Sequence, residues 1–109
     1  DQMKCEGCDA NAKLLSKSEI ESFMLQLPDW KIIEDSGTQK LQRTFSTKNY
    51  SKSIYFTNAI AQLAESVNHH PLIITEYACV TVQWWSHIIK GLHKNDFIMA
   101  SQSDTLFQF

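Results

Sequence analysis

The sequence predicts an α+β domain: a four-stranded antiparallel sheet with three helices packed on one face, in the order α-β-β-α-β-β-α. Three observations carry this. Three stretches place apolar residues at helical spacing, and four short stretches between them read as strands. The strands fall into two pairs joined by short links, as antiparallel neighbours do. At 109 residues the chain can build one hydrophobic core, yet it is small enough for oligomerisation to help it.

Residues 1–15 are polar, carry Cys5-Glu6-Gly7-Cys8 and read as an N-terminal arm; residues 16–109 read as a single domain. Ser16 to Leu27 predicts a short helix. Ser16 or Ser18 can cap it, Glu19 and Glu21 suit its positive first turn, and Ile20, Phe23, Met24 and Leu27 share an apolar face. Pro28-Asp29 stops it. Trp30 to Glu34 reads as a strand, Asp35-Ser36-Gly37 as a turn, and Lys40 to Ser46 as a second strand with Leu41, Arg43 and Phe45 on one face. Thr47 or Asn49 can open a longer helix running to about Val67, with a stripe of Phe56, Ile60, Leu63 and Val67 flanked by Ala59 and Ala64. Pro71 rules out any continuation of that helix, because the residue before a proline is pushed out of the helical region. Leu72 to Glu76 and Cys79 to Ser86 read as the second strand pair. If Val80, Val82 and Trp84 face the core, His87 continues the opposite face. Lys94-Asn95-Asp96 begins a last helix, with Phe97, Ile98 and Leu106 expected on its buried side and Asp96 in its first turn.

The composition excludes several classes. With 43% hydrophobic and 20% charged residues the chain is ordinary for a globular protein. A net charge of −2 supplies no footprint for nucleic acid or an anionic membrane surface. No apolar run approaches the ~20 residues that span a bilayer. Three cysteines cannot all pair within one chain, which favours a reducing compartment and a cytoplasmic location. The start at Asp1 rather than Met suggests a trimmed or processed chain. Three glycines and no Gly-rich loop leave no visible nucleotide site.

The chemistry gathers elsewhere. His69, His70 and His87 lie within nineteen residues, flanked by Glu65 and Asp96. A metal site is one reading, since three His and a Cys could ligate zinc. Against it, adjacent residues in extended chain point to opposite sides, so His69 and His70 would not easily share an ion. Cys5-x-x-Cys8 has no second pair to complete four ligands and precedes the predicted elements, so it reads as inert arm rather than redox dithiol. Cys79 alternates with Val80 in a strand and reads as a small hydrophobe. Acid–base work is the stronger alternative. A hairpin of this length returns His87 towards His69 and His70, giving a polar pocket of imidazoles and carboxylates suited to general acid–base catalysis without a metal.

The run Glu65-x3-His69-His70-Pro71-x5-Tyr77-x9-His87-x8-Asp96 resembles the signature of the pterin-4a-carbinolamine dehydratases, with seven specified residues over 32 positions. Leu27-Pro28-Asp29-Trp30 is similar to the motif entering that family's first strand. Gly91-Leu92 is similar to the pair before its last helix, and the Cys-x-x-Cys arm is similar to that of some bacterial members. The resemblance covers about residues 16–105. It implies the same sheet and helices, a homodimer or homotetramer, and no metal or organic cofactor, the pterin being the substrate. It also implies loss of water from a 4a-hydroxytetrahydropterin, giving quinonoid dihydropterin for reuse by an aromatic amino acid hydroxylase. Hydroxide leaves poorly, so an acid should protonate the C4a oxygen while a base takes the N5 proton.

By resemblance, His69 and His87 are the acid–base pair, and His70 joins them in the catalytic set by orienting the substrate. Asp96 would hold the His87 side of the pocket or hydrogen-bond an imidazole. Glu65 would do the same near His69 or remain a solvated carboxylate. Two departures stand out. Trp84-Trp85 replaces smaller or aliphatic residues, with Trp85 expected to wall the pocket or fill a subunit contact. His93 replaces a common Ser/Thr before the last helix, where weaker capping is expected. Two rival classes are also compatible with the sequence: a binding module, since some animal members of the family it resembles also serve as dimerisation partners of a transcription factor, and a metal-dependent hydrolase.

Overall fold

A computed structural model describes residues 14–108; the expectations for Cys5 and Cys8 lie outside the described residues. Seven elements follow in order: α1 (Lys17–Met24), β1 (Lys31–Asp35), β2 (Thr38–Ser46), α2 (Tyr50–Val67), β3 (Leu72–Thr75), β4 (Cys79–Trp84) and α3 (Lys94–Leu106). The strands form one antiparallel sheet in the order β1-β2-β4-β3. The predicted element order and fold class are those observed.

Local chemistry sets each boundary. Ser16 caps α1 through a capping box with Glu19, whose carboxylate accepts from the Ser16 N–H at 2.8 Å. The β1–β2 turn is two residues, Ser36 and Gly37, both at positive φ (53° and 83°). That is the geometry whose twist matches paired strands, and β2 therefore begins at Thr38, two residues earlier than expected. Asn49 caps α2, its side chain accepting from the Lys52 N–H at 2.9 Å. At the other end α2 closes after Val67, as expected, and the residue that closes it is Asn68. Asn68 adopts the left-handed conformation (φ 54°, ψ 44°), which a short polar side chain tolerates and which closes a helix.

Strand register decides what is buried. Leu41 pairs with Trp84 and Phe45 with Val80, all on the helix-facing side and all fully buried. Phe56 and Ile60 of α2 pack against them, each large apolar side chain contributing about 1.5–3 kcal/mol by leaving water. Arg43 shares this face, and its charge is met by Asp104 of α3 at 2.6 Å, which also accepts from the Trp30 indole N–H at 2.9 Å. The opposite face carries Thr44, Thr81, Leu72 and Ile74, and both apolar side chains among them are 43% exposed.

Two expectations fail locally. Ile98 is 42% exposed; Met99, Ala100 and Ser103 are buried on α3 alongside Phe97. β4 ends at Trp84, and Ser86 leaves the strand to bridge Gly91 across a turn. Among the described residues no helix is long and apolar enough to cross a membrane.

Candidate active site

The left-handed Asn68 reverses the chain where α2 ends, and the His69 N–H returns to the Ala64 carbonyl at 3.1 Å. The two following histidines then diverge. His69 turns inward and is 2% exposed; His70 turns out to solvent. This is the opposite pointing that adjacency in extended chain predicts.

His69 lies parallel to the Trp84 indole (centroids 5.7 Å apart, planes at 10°), and its Nε2 meets Asp96 Oδ1 at 2.7 Å. Asp96 is fully buried yet fully used: its Oδ2 also accepts from Ser86 Oγ at 2.8 Å and from the His93 N–H at 2.9 Å. One carboxylate thus ties together the end of α2, the exit of β4 and the start of α3. Buried polar groups need such partners. A carboxylate accepts, so His69 Nε2 donates to Asp96. Asp96 therefore hydrogen-bonds an imidazole, that of His69, and through Ser86 it also holds the residue that precedes His87. His93 also departs from expectation: its imidazole Nδ1 accepts from the Asn95 N–H at 3.3 Å and completes a capping box with Asp96. A ring nitrogen does here what a hydroxyl would otherwise do.

The exposed half is built differently. His70 Nε2 pairs with Glu65 Oε2 at 2.5 Å, so Glu65 serves His70 rather than His69. Their side chains are 51% and 78% exposed. His87 opens the turn of residues 87–90, closed by hydrogen bonds between Ser86 and Gly91 at 2.8 and 3.3 Å. Leu14 packs onto this turn so closely that a Cβ on Gly91 would lie 2.5 Å from Leu14 Cδ2. The Leu15 N–H donates to the Leu92 carbonyl at 3.1 Å beside it. His87 Nε2 donates to the His70 carbonyl at 2.9 Å, which leaves the neutral ring's lone pair on Nδ1.

These residues line a cleft of about 160 Å³ formed by Asn68, His69, His70, His87 and Ile88. A larger cleft of about 280 Å³ lies between α1 and α3, lined by Phe23, Gln26, Leu27, Phe97, Ile98, Ser101 and Gln102. It offers no ionisable side chain, so proton-transfer chemistry belongs to the smaller one. Tyr77 of the sequence signature stays outside: it is 70% exposed in the β3–β4 link, at the far end of the hairpin. Asn68, Ser86, Ile88 and Trp84 are site residues that sequence reasoning did not select. Asn68 carried a signal, an asparagine at the end of a helical stripe, and Trp84 was legible as an inward-facing strand residue though not as a neighbour of His69. Among the described residues no three of His, Cys, Asp or Glu converge to hold a metal ion.

Fold and site together define a class: a small α+β domain whose sheet and helices converge on a cleft of three histidines, one of them locked to a buried aspartate. The sequence profile of the family "Pterin 4 alpha carbinolamine dehydratase" matches residues 13–106, and the chain belongs to that family. Two relatives carry the name "Putative pterin-4-alpha-carbinolamine dehydratase". That of Nitrosococcus oceani is 51% identical over 106 residues, covering 97% of this chain and 94% of the relative. That of Syntrophotalea carbinolica is 46% identical over 107 residues, covering 98% and 96%. Among solved structures, a "transcriptional coactivator/pterin dehydratase" from Brucella melitensis is similar with a TM-score of 0.79 at 26% identity, covering 88% of this chain and 100% of that one. A "pterin dehydratase-like protein" titled as a RuBisCO assembly factor in the alpha-carboxysome has a TM-score of 0.61 at 20% identity, covering 72% and 88%, and shares the fold.

Proposed function

We propose that this protein dehydrates a 4a-hydroxytetrahydropterin to quinonoid dihydropterin and water, with its own histidines as acid and base. The observation that carries this reading is the pairing of a buried His69–Asp96 couple with His87 across one cleft. Dehydration needs two proton movements in one small space, and imidazole titrates in the range where both are accessible near neutral pH.

In this reading the reacting edge of the bicyclic substrate, carrying C4a and N5, enters the cleft while the rest stays outside. A cleft of about 160 Å³ suits one edge of such a ring. His69 as imidazolium, its charge balanced by Asp96, gives a proton to the C4a oxygen, so the group that departs is water. Neutral His87 takes the N5 proton on Nδ1 as the C=N bond forms, its Nε2–H being engaged by the His70 carbonyl. His70, held by Glu65, orients the ring from the solvent side. No step calls for a metal or an organic cofactor. A homodimer or homotetramer in the cytoplasm, feeding its product back to an aromatic amino acid hydroxylase, completes the proposal.

The test is to generate the carbinolamine with a pterin-dependent hydroxylase and follow its dehydration with and without the protein. Acceleration that survives excess chelator is expected. A rate equal to the spontaneous one would overturn the reading, and loss of the acceleration with chelator would favour a metal-dependent enzyme.

A further inference from the structure

We propose that Trp85 is a positioning residue for His87, holding its imidazole in the plane from which it takes the substrate proton. The inference rests on the dehydratase reading and adds to it a residue outside the cleft. Trp85 follows the last residue of β4 on the open side of the sheet, and its indole stacks on the His87 ring with centroids 4.3 Å apart and planes at 22°. His87 sits in a turn rather than in a strand, so its backbone alone does not fix its ring. Among the described residues two contacts do: the indole face and the hydrogen bond from Nε2 to the His70 carbonyl at 2.9 Å. The hydrogen bond leaves rotation about its own axis open, and a stacked face removes that freedom.

The indole is itself anchored. The Lys40 Nζ lies 4.0 Å from the Trp85 ring centroid and is held by Asp35 Oδ2 at 3.0 Å. Lys40 is 9% exposed although it lies on the open face of β2, because the indole covers it. The chain of contacts therefore runs Asp35, Lys40, Trp85, His87, His70 carbonyl, from the β1–β2 turn to the site. The cleft is lined by Asn68, His69, His70, His87 and Ile88. Trp85 stands behind His87 from that side and acts through it, without touching the reacting atoms.

Three variants test this: Trp85→Leu, Trp85→Phe and Lys40→Met, each compared with wild type for dehydration kcat and KM and for the His87 ring-proton resonances by NMR. A misoriented base costs rate without weakening binding. Trp85→Leu is expected to lower kcat by roughly 10- to 100-fold at unchanged KM, and to remove the upfield ring-current shift of the His87 C–H protons. Trp85→Phe, which keeps an aromatic face, should recover most of the kcat and part of the shift. Lys40→Met, which leaves the indole in place but frees it, should lower kcat in the same direction by less. It also decides the matter should Trp85→Leu fail to fold. A wild type that does not accelerate dehydration overturns the functional reading. An active wild type whose Trp85→Leu variant keeps its kcat, or loses only KM, overturns the positioning role alone.

Discussion

His69 and His70 are neighbours in the chain and opposites in environment. His69 is sealed in, parallel to Trp84 and bonded to a carboxylate with no solvent exposure. His70 and its partner Glu65 are both largely in water. The same pairing of imidazole with carboxylate therefore has two different physical meanings. In the buried half, removing one partner strands groups that water cannot reach. In the exposed half, water replaces the lost partner almost without cost. Fold stability and site chemistry are joined in the first half and separable in the second.

The sharpest way to break that comparison is Asp96→Ala. It leaves His69 Nε2–H, the Ser86 hydroxyl and the His93 N–H without their acceptor. The expected loss is about 3–5 kcal/mol of stability, together with most of the dehydration rate. Urea unfolding and the carbinolamine assay measure the two. His69→Ala should lose rate to a similar degree and also destabilise, because Asp96 is then buried without its ring. His87→Ala is the contrast within the catalytic pair: a rate loss of about 10²–10⁴-fold with stability held within about 0.5 kcal/mol. An unfolding midpoint for His87→Ala as low as that for His69→Ala would abolish the distinction between the halves.

How much of this was legible in the sequence follows the same division. Strand alternation exposes the inward Val80, Val82 and Trp84 face, and the helix stripe of α2 exposes Phe56 and Ile60, because burial by periodic elements is written locally. The clustering of His69, His70 and His87 with Glu65 and Asp96 was legible from spacing as well. Partner choice was not. Which imidazole Asp96 takes, His69, and that it reaches Ser86 beside His87 as well, depend on where α3 begins relative to the α2 terminus, and that is a tertiary fact. The helix end near Val67 was legible, but the left-handed reversal at Asn68 was not, so opposite pointing of His69 and His70 could be expected without knowing which of the two turns inward. His93 reads as a poor cap by residue type alone. It caps because its ring nitrogen lies within reach of the Asn95 N–H while its backbone N–H meets Asp96.

A smaller effect sharpens the exposed half. Glu65→Gln removes the charge from the His70 pair but keeps an acceptor. The expected change is about 0–1 kcal/mol in stability. The dehydration rate should fall by less than in any of the histidine variants, and as a change in KM, since His70 orients the substrate in the proposed chemistry. A loss confined to kcat would move His70 from orienting the substrate to exchanging its proton.

The smallest effect lies at the far end of β4, where Cys79 donates its S–H to Glu76 Oε1 at 3.1 Å, another carboxylate pair at the surface. The acceptor carboxylate, with some burial and its charge, pushes the Cys79 thiol above its ordinary value. Folding thus favours the protonated thiol. The resulting stability is complete below the pKa of the unfolded thiol and is lost as the pH rises through the folded one. Wild-type protein should consequently show a shallow alkaline decline in stability that Glu76→Gln flattens, read as unfolding midpoints across that window. Dehydration near neutral pH should be the same in Cys79→Ser as in wild type, because the pair lies at the opposite end of β4 from the cleft. If Cys79→Ser instead cost as much stability as Asp96→Ala, solvent access would not be what separates the two kinds of carboxylate pair.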